Sequence, residues 1–126
     1  MKQTEEIAFA SAVMHAAATC KEDEEITAVA QRIINRSVNH IVVVDNQGKL
    51  SGVVTSWDIT KAVAEGRRKL SEIIVRKVVT TTPNESLEAA SRKLAQHNIS
   101  ALPVIDQDKK VLGIITSEDI SKLIGR

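Results

Sequence analysis

The chain has 126 residues and a formal charge of +1, with one cysteine, one tryptophan, one phenylalanine and no tyrosine. That length suffices for one core, or for two half-size units that complete each other. The near-neutral charge and scarce aromatics exclude a phosphate-tracking or base-stacking surface for nucleic acid, and no run approaches the roughly 18 apolar residues of a membrane span. Cys20 stands alone, so no internal disulfide is expected and a reducing cytoplasm suits the chain. His15, His40 and His97 lie far apart without metal-ligand spacing, and no catalytic constellation stands out; neither a metal site nor an enzyme is expected.

In chain order, the opening MKQTEEIAFASAVMHAAATC faintly resembles a secretory leader, but Glu5 and Glu6 spoil its positive region. AAATC reads as a short extended piece. EITAVAQRIINRSVN then sets Ile26, Val29, Ala30, Ile33 and Ile34 at helical spacing. HIVVVD is a β-branched strand, NQGK a turn, LSGVVT the partner strand and SWDITKAVAEG a closing helix. Arg67-Arg68-Lys69 reads as a solvated loop. KVVTTT is extended again, Pro83 and Asn84 break it, and Ser86 is a candidate N-cap. SLEAASRKLAQHN repeats the helical stripe with Leu87, Ala90, Leu94 and Ala95; ALPVID, QDKK, VLGIIT and SEDISKLIGR repeat the rest.

The second half is thus a copy of the first. A shift of 61 positions pairs Gly52 with Gly113, Thr55 with Thr116, Asp58 with Asp119 and Asp45 with Asp106, and runs back without a gap to Thr19 and Thr80. The expected division is 1–66, with an N-terminal helix, and 67–126. Each unit reads strand, helix, strand, strand, helix, in the α/β class. Continuously apolar strands imply burial on both faces, so each unit needs the other as cover.

Each copy also repeats one junction, GVVTSWDI and GIITSEDI. A hydroxyl followed three residues later by an acid is a helix-start signature, in which the hydroxyl caps an early N–H and the acid suits the dipole. The same geometry can bind a nucleoside with an anionic tail: free N–H groups and the threonine attract the anion, and the carboxylate accepts from ribose hydroxyls. Gly52 and Gly113 mark close approach by another backbone or by a ligand. Both readings of the junction remain open.

These junctions, with HIVVVDNQGKLSG, ALPVIDQDKKVLG and VVTTTPNESLEAA, resemble the CBS domain, and the whole chain is similar to a CBS pair, or Bateman module. The resemblance implies two β-α-β-β-α units about a pseudo-twofold axis, with two clefts that hold an adenosine derivative such as AMP, ATP, S-adenosylmethionine or methylthioadenosine. By resemblance, Thr55 and Asp58 serve one cleft as phosphate and ribose ligands, and Thr116 and Asp119 the other. The implied adenine walls are Ala17, Ala18 and Thr19 with His40, Ile41 and Val42, and Val78, Val79 and Thr80 with Ala101, Leu102 and Pro103. The first unit departs from the family pattern: Val42 stands where Pro103 does in the second, and Lys21-Glu22-Asp23 replaces Thr82-Pro83-Asn84. Acids near a cleft mouth would repel a polyphosphate, so the clefts need not be equivalent.

Family pairs also associate as homodimers through their closing helices, for which Trp57, Ile59, Val63, Ile120 and Ile124 are the interface candidates. TSWDI and TSEDIS look closest to the CBS segments of archaeal homocysteine-biosynthesis sulfurtransferase proteins. That resemblance implies a regulatory segment acting on a catalytic domain or enzyme elsewhere, with no cofactor of its own. A dimerisation module whose junctions are only caps is the alternative expectation.

Overall fold

The computed structural model describes residues 8–124, except for the side chain of Ile124. The first half contains α1 (Ala10–Val13), β1 (Thr19–Cys20), α2 (Ile26–Arg36), β2 (His40–Val44), β3 (Leu50–Thr55) and α3 (Ser56–Glu65). A 3-10 turn at Leu70–Glu72 leads to α4 (Leu87–His97), β4 (Ala101–Ile105), β5 (Val111–Thr116) and α5 (Ser117–Ile124). The expected unit is present in both halves with one difference. β1 lies parallel to β2, whereas its counterpart is a single parallel bridge from Thr81 to Val104.

Local chemistry explains much of the repeat. Asp45 Oδ1 accepts from the N–H groups of Gln47 (2.8 Å) and Lys49 (2.9 Å), and Asp106 Oδ1 from those of Asp108 (2.8 Å) and Lys110 (3.0 Å). Each acid therefore folds the turn of its own hairpin. The two hairpin tips also join: Leu50 N–H donates to the Lys109 carbonyl and Val111 N–H to that of Gly48. Ser86 caps α4 by accepting from Ala89 N–H at 3.1 Å. Ile34 and Ala95 depart from expectation, because both face solvent rather than extending the buried stripes of α2 and α4.

Each helix pair covers one face of its hairpin. Ile26, Val29, Ile41, Val43, Val54, Ile59 and Ala62 form the first core. Leu87, Ala90, Leu94, Leu102, Val104, Ile115 and Ile120 form the second. The other faces of the strands meet around Val42, Val44 and Ile114, which supplies the mutual cover the apolar strands required.

The units also exchange their leading segments. Ala10 is fully buried in the second core, with Val13 and Met14 packed beside it. Leu70, with Ile73 and Ile74, completes the first. His15 exchanges both backbone hydrogen bonds with Ile114, and Val75 does the same with Val53. In space, then, residues 8–15 lie with the second unit although they precede the first. Since Val53 and Ile114 stand 61 apart but His15 and Val75 only 60, the repeat slips by one residue in this segment.

The strand glycines make room for that backbone. A Cβ on Gly113 would lie 2.7 Å from the His15 carbonyl oxygen; one on Gly52 would collide with Ile74 and lie 2.8 Å from the Val75 carbonyl oxygen. Of the two explanations offered by the sequence, close approach by another backbone accounts for both glycines.

A second repeated device ties helix to edge strand. Arg32 on α2 donates to the Thr19 carbonyl (2.9 Å) and to Glu24 (2.7 Å); Lys93 on α4 donates to the Thr80 carbonyl (2.8 Å) and pairs with Glu85 (2.8 Å). The Arg32 hydrogen bond holds the Glu24 carboxyl below its ordinary value of 4.5. Burial pushes the Glu85 carboxyl upward, but hydrogen bonds from Lys93 and Thr81 outweigh it and the net direction is also down.

Two predictions follow from this architecture. Gly113→Ala is expected to destabilise the chain by about 1–3 kcal/mol through overpacking against His15, read from chemical denaturation. Glu24 and Glu85 have folded-state values below their unfolded ones, so their stabilisation is present above about pH 4.5 and lost as pH falls through the folded values. Denaturation midpoints measured from pH 7 to 3 should decline below that point, and Glu24→Gln with Glu85→Gln should flatten the decline.

Candidate functional site

Both Thr-Ser-x-Asp junctions are built as helix caps. Thr55 Oγ1 accepts from Asp58 N–H at 3.1 Å, and Asp58 Oδ2 accepts from Thr55 N–H at 2.8 Å and from the Thr55 hydroxyl at 2.9 Å. Thr116 Oγ1 accepts from Asp119 N–H at 3.1 Å, and Asp119 Oδ2 from Thr116 N–H at 2.8 Å. In each pair Oδ2 supports the cap, and a carboxylate has a second oxygen and further lone pairs for another partner. Capping and ligand binding are therefore compatible roles for one residue.

The cleft at the first junction is assembled crosswise. Thr55 and Asp58 of the first unit line a cavity of about 460 Å³ with Val78, Val79, Ala101 and Pro103 from the second half. Val53, Ile114 and Ile99 add apolar wall, while His40, Lys77, Asn98 and Ser100 add polar groups. A neighbouring groove of about 480 Å³ runs between the N-termini of α3 and α5 and shares His40, Thr55 and Ser100 with the first. Together they form an apolar slot, then a carboxylate, then two helix N-termini.

The remaining sequence-derived candidates are dispersed by strand alternation. Ile41 and Leu102 point into the cores of their own units and are fully buried, as Ala18 nearly is, so none of these side chains faces the cleft. Val42 packs at the centre between the two sheets with Ala17 beside it. Thr19 and Thr80 offer their carbonyls to Arg32 and Lys93. Of the interface candidates, Ile59 and Ile120 belong instead to the cores. Trp57 and Val63 are each 68% exposed on α3, and Leu123 is exposed on α5. The side chain of Ile124 lies outside the described residues.

Electrostatics distinguish the cleft groups. Burial pushes the His40 imidazole down, so it is neutral at pH 7, and its Nε2 lies 2.9 Å from Ser100 Oγ. Of the two acids that set the first unit apart, Glu22 and Asp23, the first is partnered: Arg76 makes a two-pronged pair with Glu22 at 2.9 Å on each arm. Lys77, Asn98 and Ser100 were not anticipated. Asn98 had a local signal as the left-handed cap of α4 (φ 52°); Lys77 carried none, since its role depends on the other unit.

A family model described as the CBS domain matches residues 10–65 and again residues 70–126. The chain belongs to the CBS domain family, as a tandem pair. Over its whole length the pair is 43% identical to an L-aspartate semialdehyde sulfurtransferase of Methanosarcina acetivorans, of which it covers 26%. Over 85% of its length it is 46% identical to a homoserine O-acetyltransferase of Methanohalobium evestigatum, covering 22% of that protein. The chain thus spans about a quarter of the length of these relatives, and the likeness is confined to the part the size of a CBS pair. Among solved structures it resembles the CBS domain pair of protein MJ0100 in complex with 5′-methylthioadenosine and S-adenosyl-L-methionine. The TM-score is 0.91 at 37% identity, over 95% of this chain and 98% of that one. The cytosolic domain of the Mg²⁺ channel MgtE in complex with ATP gives 0.82 at 26% identity, over 92% and 48%. Among the described residues no helix is long and apolar enough to cross a membrane.

Thr55→Ala removes the cap of α3 and is expected to cost about 1 kcal/mol in urea denaturation, whatever the cleft binds. Thr55→Ser should keep most of that stability.

Proposed function

We propose that this CBS pair is a ligand-sensing regulatory module that binds an adenosine derivative in the cleft between its units. The observation that carries the reading is the crosswise cavity. An apolar slot from Val78, Val79, Pro103 and Ile114 can take a purine face. Asp58 stands where ribose hydroxyls can donate to it, and the adjoining groove leads any tail toward the N–H groups of α3 and α5. No residue needs to perform chemistry. Ligand bound between two units shifts how they sit against each other, and that shift is the signal.

S-adenosylmethionine and methylthioadenosine are the ligands favoured, on the likeness to the pair of MJ0100; ATP, as in the MgtE domain, is the competing choice. Electrostatic rejection of a polyphosphate by the acidic first unit carries less weight than the sequence implied, because Glu22, one of its two distinguishing acids, is paired with Arg76. The regulated partner is a catalytic domain or enzyme, in keeping with the much greater length of the relatives. A cytoplasmic setting suits the free Cys20, whose thiol is pushed up to about 11 by burial and is unreactive at neutral pH. Trp57 and Val63 offer an apolar surface for a homodimer. The same surface, with capping boxes that are complete on their own, favours the second reading, a dimerisation module with no ligand.

Thermal unfolding separates the two. A ligand at 100 times its dissociation constant adds about 2.7 kcal/mol, a rise on the order of ten degrees at this chain length. A rise with S-adenosylmethionine or methylthioadenosine, reduced in Asp58→Asn, is the expected result. ATP acting alone would reverse the ligand choice. No shift with AMP, ATP or either sulfur compound would leave the dimerisation module standing.

A further inference from the structure

The repeat puts a second carboxylate, Asp119, where the first unit has Asp58, but the surroundings of the two are not equivalent. At the first, the residue that bridges β3 is Val75, and its side chain leaves the Asp58 carboxylate to the cavity. At the second, the matching residue bridging β5 is His15. Its imidazole Nε2 lies 2.9 Å from Asp119 Oδ2, on the carboxylate that corresponds to Asp58.

The His15 backbone is fixed. It exchanges hydrogen bonds with Ile114 at 3.1 and 2.9 Å, Gly113 lies beneath its carbonyl, and Val13 and Met14 anchor the segment in the second core. The imidazole itself is held by little else. Its side chain is 49% exposed, against 22% for Asp119, and its other ring nitrogen reaches only the adjacent Ala16 carbonyl at 3.3 Å. A fixed backbone carrying a half-exposed ring can release the carboxylate by side-chain rotation, without disturbing the fold.

We propose that His15 is a built-in competitor for the ribose hydroxyls at Asp119, so that the first cleft is the ready site and the second accepts an adenosine ligand only when the imidazole swings away. This rests on the adenosine-ligand reading above and adds an order of filling to it. The hydrogen bond from His15 falls on Asp119 Oδ2, the oxygen that also supports the cap, and a ligand that needs the lone pairs or the space on that side must break it, which a ligand beside Asp58 need not. Such a bond is strong enough to separate the two affinities by about ten-fold or more.

Isothermal titration of the full chain with 5′-methylthioadenosine tests the proposal on five proteins: the unaltered chain, Asp58→Asn, Asp119→Asn, His15→Val and Val75→His. The unaltered chain is expected to show two unequal sites, the tighter lost in Asp58→Asn and the weaker in Asp119→Asn. His15→Val, which keeps the backbone bridge, should tighten the weaker site about ten-fold. Val75→His, at an exposed position, should weaken the tighter one by a similar factor. Equal sites in the unaltered chain, a tighter site that depends on Asp119, or affinities unmoved by both reciprocal exchanges would overturn the role of His15 while leaving ligand binding intact. Absence of binding heat in all five would overturn the adenosine reading itself, and this inference with it.

Discussion

The structure depends on a main-chain contact that two missing side chains permit. Because Gly52 and Gly113 carry no Cβ, the backbones at Val75 and His15 lie against β3 and β5 closely enough to form paired hydrogen bonds. Each strand thereby gains an edge partner contributed by the segment that leads into the other unit. The partner brings apolar residues with it, Leu70 into one core and Ala10 into the other. Neither core is complete without the crossing, and the cleft lies beside the residues that follow it, Lys77 to Val79.

From that arrangement the site follows. Strand alternation sends Ile41 and Leu102 inward and leaves His40, Ala101 and Pro103 for the cleft. The helix that begins at the end of β3 delivers Thr55 and Asp58 to the same place, and the crossing brings Lys77, Val78 and Val79 opposite them. One carboxylate then serves two purposes, holding its own helix start and facing the cavity. A residue with a structural duty and a binding duty explains why the duplicated junction alone could not decide between a cap and a site.

Much of this is legible in the sequence. The 61-residue repeat, the helical stripes, both hairpins and the Ser86 cap are local signals, and each arises from chemistry within a few residues. The turn acids Asp45 and Asp106 belong to the same class. What lay beyond reach was pairing between the halves. Under the 61-residue shift His15 aligns with Arg76, which hides its structural counterpart Val75. The slip to 60 is invisible because the leading segments share almost no residue identities; only their burial matches, Ala10 against Leu70. The interface reading failed at Ile59 and Ile120 for a related reason, since a helical stripe gives a period but not the direction in which it faces.

The crossing also sets the order in which the chain can fold. Residues 8–15 are synthesised before either unit, yet their partners lie at the end of the second, and His15 reaches Asp119 across a separation of 104 residues. Closing so long a loop costs entropy before any contact repays it, and topologies rich in such distant pairs fold slowly. While the nascent chain emerges, the first unit can assemble once Leu70 to Val75 are available, but the second core waits for a segment already tethered at the far end. A lone unit is thus never a finished product. In any longer protein that carries this pair, residues 8–15 therefore cannot take their place in the fold until β5 has left the ribosome.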